Sequence, residues 1–196
     1  MRKYKKIREN TLETENFGTD RKPCKIKHLR RNTDLIRSYE TMIKVLFICH
    51  GNICRSPMAE FVFKDMVEKA GLSGKFEIAS AATSREEIGN PVHPGTRRKL
   101  EPMGISTSGK YAVQARKEDY AFYDYLIGMD TWNIRNMQRI FDGDPDHKIY
   151  RLMDFTERPG DVADPWYTGN FDVTYRDIAE GCQGLLQEIL RKKKEC

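Results

Sequence analysis

Two hydrophobic rhythms alternate along most of this chain. The run Ile43-Lys44-Val45-Leu46-Phe47-Ile48 is short, apolar and β-branched, which suits a parallel strand buried on both faces. The next apolar positions, Ala59, Val62, Phe63, Met66, Val67 and Ala70, fall at helical spacing, and Gly71 closes that helix. Ser56 is expected to cap it, with Pro57 as the first helical residue, where a missing N–H costs nothing. Phe76 to Thr83 reads as a second strand of small and apolar residues, followed by a loop punctuated by Gly89-Asn90-Pro91 and Pro94-Gly95. Thr96 to Met103 reads as a short basic helix closed by Gly104, and Lys117 to Tyr123 as another short helix. Tyr125 to Met129 is expected as a third strand ending at Asp130. Thr131 to Phe141 then carries Ile134, Met137, Ile140 and Phe141 on one helical face. After turn residues at Asp142 to Pro145, Ile149 to Phe155 fits a fourth strand. Phe171 to Lys194 closes the chain as a helix with Ile178, Cys182, Leu185, Leu186 and Ile189 inward.

Strands that alternate with helices predict an α/β fold with a parallel sheet and right-handed crossovers. Sites in such sheets lie at the carboxyl ends of the strands, and the first strand ends at Cys49. Charge adds a second division. The chain of 196 residues carries a net +5, but residues 1–41 alone hold 12 Lys/Arg against 6 Asp/Glu. The remainder is close to neutral, so the basic balance is no argument that the domain binds nucleic acid. Residues 1–41 lack a sustained apolar period and are expected to be a disordered extension. Lys25 to Arg31 as a basic arm for nucleic acid or lipid is the lesser reading, because aromatics are not interleaved. No apolar run approaches the ~18 residues of a membrane span, and no signal-peptide core is visible. Five cysteines, two of them in one loop, fit a reducing cytoplasm better than a disulfide framework.

The candidate chemistry lies in Cys49-His50-Gly51-Asn52-Ile53-Cys54-Arg55-Ser56, between the first strand and the first helix. Amides at a helix N-terminus favour an anion. Cys49 and Arg55 are separated by five residues, enough chain to curl once around a phosphate-sized oxyanion. A guanidinium can hold two of its oxygens bidentately, which a lysine cannot. A cysteine facing amides, a helix terminus and an arginine sits where a thiolate nucleophile is stabilised. Gly51 permits close approach or positive φ, and Asn52 is the side-chain-bearing residue most tolerant of positive φ. A phosphocysteine route also needs an acid for the leaving oxygen and a base for water, and one carboxyl group can serve in turn. Asp164 in Asp161-Val162-Ala163-Asp164-Pro165-Trp166-Tyr167 is the candidate, held extended by the proline after it. Taken alone, an Asp-Pro pair is more often a turn.

The segment from Ile43 to Glu60, IKVLFICHGNICRSPMAE, resembles the active-site segment of the low-molecular-weight protein tyrosine phosphatases. The resemblance extends over roughly residues 43–190 and implies a phosphatase domain of residues 42–196, with four strands in the order 2-1-3-4 and helices on both faces. It implies hydrolysis of phosphotyrosine in proteins through a phosphocysteine at Cys49, with Arg55 on the phosphate and Asp164 as acid and base. By the same resemblance Asn52 orders the loop, the Ser56 hydroxyl stabilises the sulfur, and Ser80 and Asp130 support the site. Trp166 and Tyr167 match the aromatic pair that receives the substrate ring, although an exposed Trp-Tyr also serves to cover a domain edge. His50 occupies a variable position that tunes substrate preference or simply forms the rim; Gly51, Ile53 and Cys54 complete the phosphate-binding loop. Cys54 matches the family's redox partner of the nucleophile, and its alternative is small-residue packing beneath the loop. No metal or cofactor is implied, and the implied partner is a tyrosine-phosphorylated protein. One stretch departs from the family: Lys110-Tyr111-Ala112-Val113-Gln114 stands where a His-x-x-Arg-Gln-like sequence is usual, which puts one loop contact in question.

Other readings fit less well. An arsenate reductase on this scaffold needs a resolving cysteine pair in a mobile segment, and none lies between Cys54 and Cys182. A protein-arginine phosphatase has threonine where Ile53 stands. A non-catalytic phosphate binder would have lost Cys49, Arg55 or Asp164. A zinc site at Cys49 and Cys54 lacks a second ligand pair, and a nucleotide-binding loop lacks its Gly-Lys-Ser/Thr ending. Arg97, Arg98 and Lys99 form a solvated face or, in the weaker reading, steer a phosphorylated substrate.

Overall fold

The computed structural model describes residues 42–195; the expected extension over residues 1–41 lies outside the described residues. Strands β1 (Ile43–Cys49), β2 (Phe76–Ala82), β3 (Tyr125–Gly128) and β4 (Ile149–Arg151) pair in parallel, in the order β2-β1-β3-β4. Between and after them run α1 (Arg55–Lys69), α2 (Pro94–Leu100), α3 (Asp119–Phe122), α4 (Thr131–Ile140), α5 (Pro165–Thr168) and α6 (Phe171–Glu195).

The apolar run over residues 45–49 of β1 follows from its place at the centre. Val45, Phe47 and Cys49 join one core with Met58 and Phe63 of α1 and Ile178, Cys182 and Leu185 of α6. Leu46 and Ile48 join the core of the other face with Leu126, Met137 and Phe141. Phe47 and Phe63 meet edge to face at 5.5 Å between ring centroids. Full burial of one such side chain is worth about 1.5–3 kcal/mol, so the central strand and its two helical layers hold the end of β1 firmly.

Two local expectations are corrected. The fourth strand ends at Arg151, and Leu152–Phe155 form a 3-10 turn. Adjacent strand residues point to opposite faces, yet Leu152 and Met153 are both buried in the same core. The turn makes that possible because α6 presents glycine to it. A Cβ on Gly181 would lie 2.6 Å from Leu152 Cγ, and one on Gly184 would collide with the Phe155 carbonyl oxygen. The second correction concerns the start of α1. The helix begins at Arg55, Cys54 stands at the cap position without a side-chain hydrogen bond, and Ser56 is already helical. The Ser56 hydroxyl is turned toward the loop, where it has partners that a cap residue would have forgone.

Candidate active site

The turn between β1 and α1 is held from outside by its carbonyls. Those of Cys49, His50 and Ile53 accept from the N–H groups of Thr83 (2.9 Å), Ser84 (3.0 Å) and His93 (2.8 Å), and that of Cys54 accepts from the Thr96 hydroxyl (3.4 Å). Every peptide bond among the described residues is trans, so the N–H of each of these peptides points opposite to its carbonyl. The amides of His50, Gly51, Cys54 and Arg55 are thereby aimed into the turn. With the N-terminus of α1 behind them they form a nest for an anion.

Asn52, rather than Gly51, adopts the left-handed backbone, with φ of 58°. The nearly buried side chain is held three ways: its Nδ2 donates to Ser56 Oγ and to Ser80 Oγ, each at 2.8 Å, and its Oδ1 accepts from the Val113 N–H at 3.1 Å. Three such bonds at about 0.5–1.5 kcal/mol each outweigh the cost of that backbone conformation. Gly51 serves close approach, since a Cβ there would come within 3.1 Å of Glu87 Cγ. Beneath this layer Ser80 donates to Glu60 Oε2 at 2.6 Å. Lys110 reaches the same oxygen at 3.0 Å and the Ser80 carbonyl at 2.8 Å. From the departing stretch Lys110–Gln114, the Val113 amide is what reaches the loop, at Asn52, while the Lys110 ammonium serves the layer beneath.

Cys49 Sγ lies 3.1 Å from the Ser56 hydroxyl and accepts from the Asn52 N–H at 3.3 Å. Arg55 is only 4% exposed, and its guanidinium is gripped by two carboxylates: Nη1 meets Asp130 at 2.6 Å and Nη2 meets Asp164 at 2.5 Å. Burial opposes its charge, but the charges of Cys49, Asp164 and Asp130 more than offset that and raise its pKa. Burial, with Cys49 and Asp164 nearby, pushes the Cys54 thiol up to about 12.

Both carboxylates are fixed by backbone. Asp130 caps α4 by accepting from the Asn133 N–H at 2.6 Å. Asp164 caps α5 with Oδ1, accepting from the Trp166 N–H at 3.0 Å and leaving Oδ2 for Arg55. The loop that carries it is tied to the end of β3, where the Val162 N–H donates to the Met129 carbonyl at 2.8 Å. It is tied to α6 through Thr174 Oγ1, which donates to the Ala163 carbonyl at 2.8 Å.

These groups open into one cleft of about 450 Å³. Its floor is Cys49, His50, Gly51, Ile53, Cys54 and Arg55, and Asp164, Trp166 and Tyr167 form one side. Asn52 and Ser56 stand behind the floor, touching the sulfur or one another. Sequence reasoning missed the other sides: Trp132 and Asn136 on α4, and Glu86 and Glu87, where Glu86 meets His50 Nε2 at 3.1 Å. For Trp132 the available signal was its position just past the carboxyl end of a parallel strand. Arg97 and Arg98 are absent from this cleft; they border a separate groove with Glu101 and Ser106. Among the described residues no three His, Cys, Asp or Glu side chains gather where they could hold a metal ion.

A thiol and a buried arginine facing one amide-lined turn, at the carboxyl end of a four-stranded parallel sheet, define an α/β protein built to hold an oxyanion against sulfur. Comparison narrows the class. The family described as low molecular weight phosphotyrosine protein phosphatase matches residues 44–195. The low molecular weight protein-tyrosine-phosphatase YfkJ of Bacillus subtilis is 44% identical over 78% of this chain and 99% of its own length. Its crystal structure aligns with a TM-score of 0.76, over 78% of this chain and 98% of that one. The crystal structure of SP-PTP, a low molecular weight protein tyrosine phosphatase from Streptococcus pyogenes, is 43% identical, covers 75% of this chain and 93% of its own, and gives a TM-score of 0.68. A low molecular weight phosphotyrosine protein phosphatase of Schizosaccharomyces pombe is 39% identical over 75% of this chain and 97% of its own. The chain belongs to the low molecular weight phosphotyrosine protein phosphatase family.

Proposed function

We propose that this protein hydrolyses phosphotyrosine in proteins through a phosphocysteine intermediate on Cys49. The observation that carries the reading is the convergence in one cleft of the Cys49 sulfur, the Arg55 guanidinium and the Asp164 carboxyl group. The Cys49 thiolate attacks phosphorus while the tyrosine oxygen leaves with a proton from the Asp164 carboxyl group. Arg55 and the turn's amides hold the three phosphoryl oxygens, an electrostatic role that pre-aligned donors fill well. The Asp164 carboxylate then takes a proton from water as its oxygen attacks the phosphocysteine, which frees inorganic phosphate and restores the thiolate. Ser56 Oγ, 3.1 Å from the sulfur, donates to it whenever it carries charge, and the bonds of Asn52 keep the loop in shape. Trp166 and Tyr167, 64% and 86% exposed beside Asp164, are suited to receive the tyrosyl ring. The partner is a tyrosine-phosphorylated protein and the compartment the cytoplasm. The three free cysteines among the described residues support a reducing setting, and no helix among those residues is long and apolar enough to cross a membrane.

The test compares phosphotyrosine, phosphoarginine and phosphoserine peptides, and adds a leaving-group series of aryl phosphates. Phosphotyrosine is expected to be preferred, and brief acid quench to trap phosphate on Cys49, visible by peptide mass spectrometry. Asp164→Asn is expected to slow poor leaving groups by about 10²–10⁴-fold and good ones far less, since only the former need the proton. A Cys49→Ser protein with near-native turnover, or an equal Asp164→Asn effect across the series, would overturn the assignment.

A further inference from the structure

The structure assigns Trp132 as a specificity residue: we propose that it receives an apolar side chain next to the phosphotyrosine in the substrate, an inference that rests on the phosphatase reading of the cleft. Three of the large exposed hydrophobic side chains, Trp132 (66%), Trp166 (64%) and Tyr167 (86%), border the same cleft. Aromatic surface gathered around a cavity marks a contact site in a way that scattered exposure does not. Trp166 and Tyr167 follow Asp164 after one proline and account for one tyrosyl ring. Trp132 stands on another element, α4, and has no part in the chemistry.

Its setting is rigid. Immediately before it, the Thr131 N–H and hydroxyl both donate to Asp161 Oδ1 at 3.1 Å, and Arg151 pairs with the same oxygen at 2.9 Å. Immediately after it, the buried Asn133 donates its N–H to Asp130 and accepts from the Met129 N–H at 3.1 Å. The Arg135 guanidinium lies 5.0 Å from the Trp132 ring, one turn along the helix. A large aromatic ring held this way in water loses little conformational freedom when it is covered, and such residues dominate recognition energetics. On the cleft, the α4 residues beside it, Asn133 and Asn136, are uncharged. An aliphatic or aromatic neighbour of the phosphotyrosine therefore gains by covering the ring, whereas a small polar neighbour gains little.

The experiment measures kcat and KM for the parent, Trp132→Ala and Trp132→Phe. The substrates are a small aryl phosphate and two phosphotyrosine peptide sets, with leucine or phenylalanine at the positions flanking the phosphotyrosine in one and serine or glycine in the other. For Trp132→Ala, KM on the apolar-flanked peptides is expected to rise about tenfold with kcat unchanged, and Trp132→Phe to recover most of the loss. The aryl phosphate and the polar-flanked peptides are expected to change less than twofold. An equal loss on every substrate would put Trp132 against the phosphotyrosine ring itself, and no loss on any peptide would make it mere surface; either overturns the proposal while leaving the phosphatase reading intact. A parent protein inactive on every phosphotyrosine substrate would remove both.

Discussion

At the scale of single residues, Arg55 shows how the site is held ready. A guanidinium this deeply buried would destabilise the fold if it were unpaired, and the two carboxylates that satisfy it come from separate loops. Arg55→Lys replaces a planar fork by one ammonium, which cannot hold Asp130, Asp164 and two phosphate oxygens in fixed directions. Turnover on an aryl phosphate is expected to fall by at least about 10²-fold, the scale of losing a preorganised oxyanion donor. Steady-state kinetics on the purified variant check this, with a melting curve to separate lost chemistry from lost fold. Cys54 poses a subtler case. With a pKa near 12 it remains a thiol at neutral pH, and it does not compete with Cys49 as a nucleophile. We propose that it nonetheless protects Cys49. Peroxide converts the Cys49 thiolate to a sulfenic acid, and condensation with the Cys54 thiol forms a disulfide and releases water. Burial, the largest cause of the raised pKa, persists after Cys49 is oxidised, so the reactive thiolate of Cys54 grows with pH and the disulfide is expected to close faster at pH 9 than at pH 7. Peptide mapping after peroxide is expected to find a Cys49–Cys54 disulfide that dithiothreitol reverses, and Cys54→Ser to show more irreversible loss at the same dose. Cys49 found only as sulfinic or sulfonic acid would reduce Cys54 to packing.

At the scale of elements, what was legible followed from period and what was not followed from partners distant in sequence. The β1 run, the α6 stripe from Ile178 to Ile189 and the sheet order could be read because apolar spacing or family resemblance carries them. The end of β4 could not. Leu152 to Phe155 continues a strand-like apolar pattern, and only the glycines of α6, some 30 residues later, allow a turn to press against that helix. Gly184→Ala makes this measurable. Its new methyl would meet the Phe155 carbonyl oxygen, backbone that cannot swing aside. Overpacking of this kind costs about 2 kcal/mol, which for a domain of this size lowers Tm by about 4–8 °C. Calorimetry would detect it, and an unchanged Tm would mean that the turn and helix part easily. The same logic explains the site. Cys49, Arg55 and Asp164 stood out because their neighbours in sequence mark them, whereas the Glu60–Lys110 pair beneath Asn52 joins side chains 50 positions apart. Helical spacing alone gave no reason to place Glu60 inside.

At the scale of the whole molecule, the question is what the catalytic unit requires. The family match spans residues 44–195, and 78% of this chain is enough to cover 99% of the Bacillus subtilis relative's own length. The central strand begins at Ile43, which is already buried, and every group assigned to the chemistry lies between Cys49 and Tyr167. We therefore propose that residues 42–196 are the catalytic domain and that the basic stretch before them stands outside it. The charge distribution gives the proposal a second edge. Residues 1–41 carry twice as many Lys and Arg as Asp and Glu, so any contribution they make to a negatively charged substrate would be long-range attraction, which salt screens within about 8–10 Å. Removing residues 1–41 is expected to leave kcat and KM for a small aryl phosphate within twofold at 0.15 M salt, with the melting temperature unchanged. Below 0.05 M salt, a fall in kcat/KM confined to acidic phosphopeptides would place the extension's role in encounter rather than in catalysis. A large loss of activity on the small substrate, or of cooperative unfolding, would show instead that the stretch packs on the domain and that the domain begins earlier than residue 42.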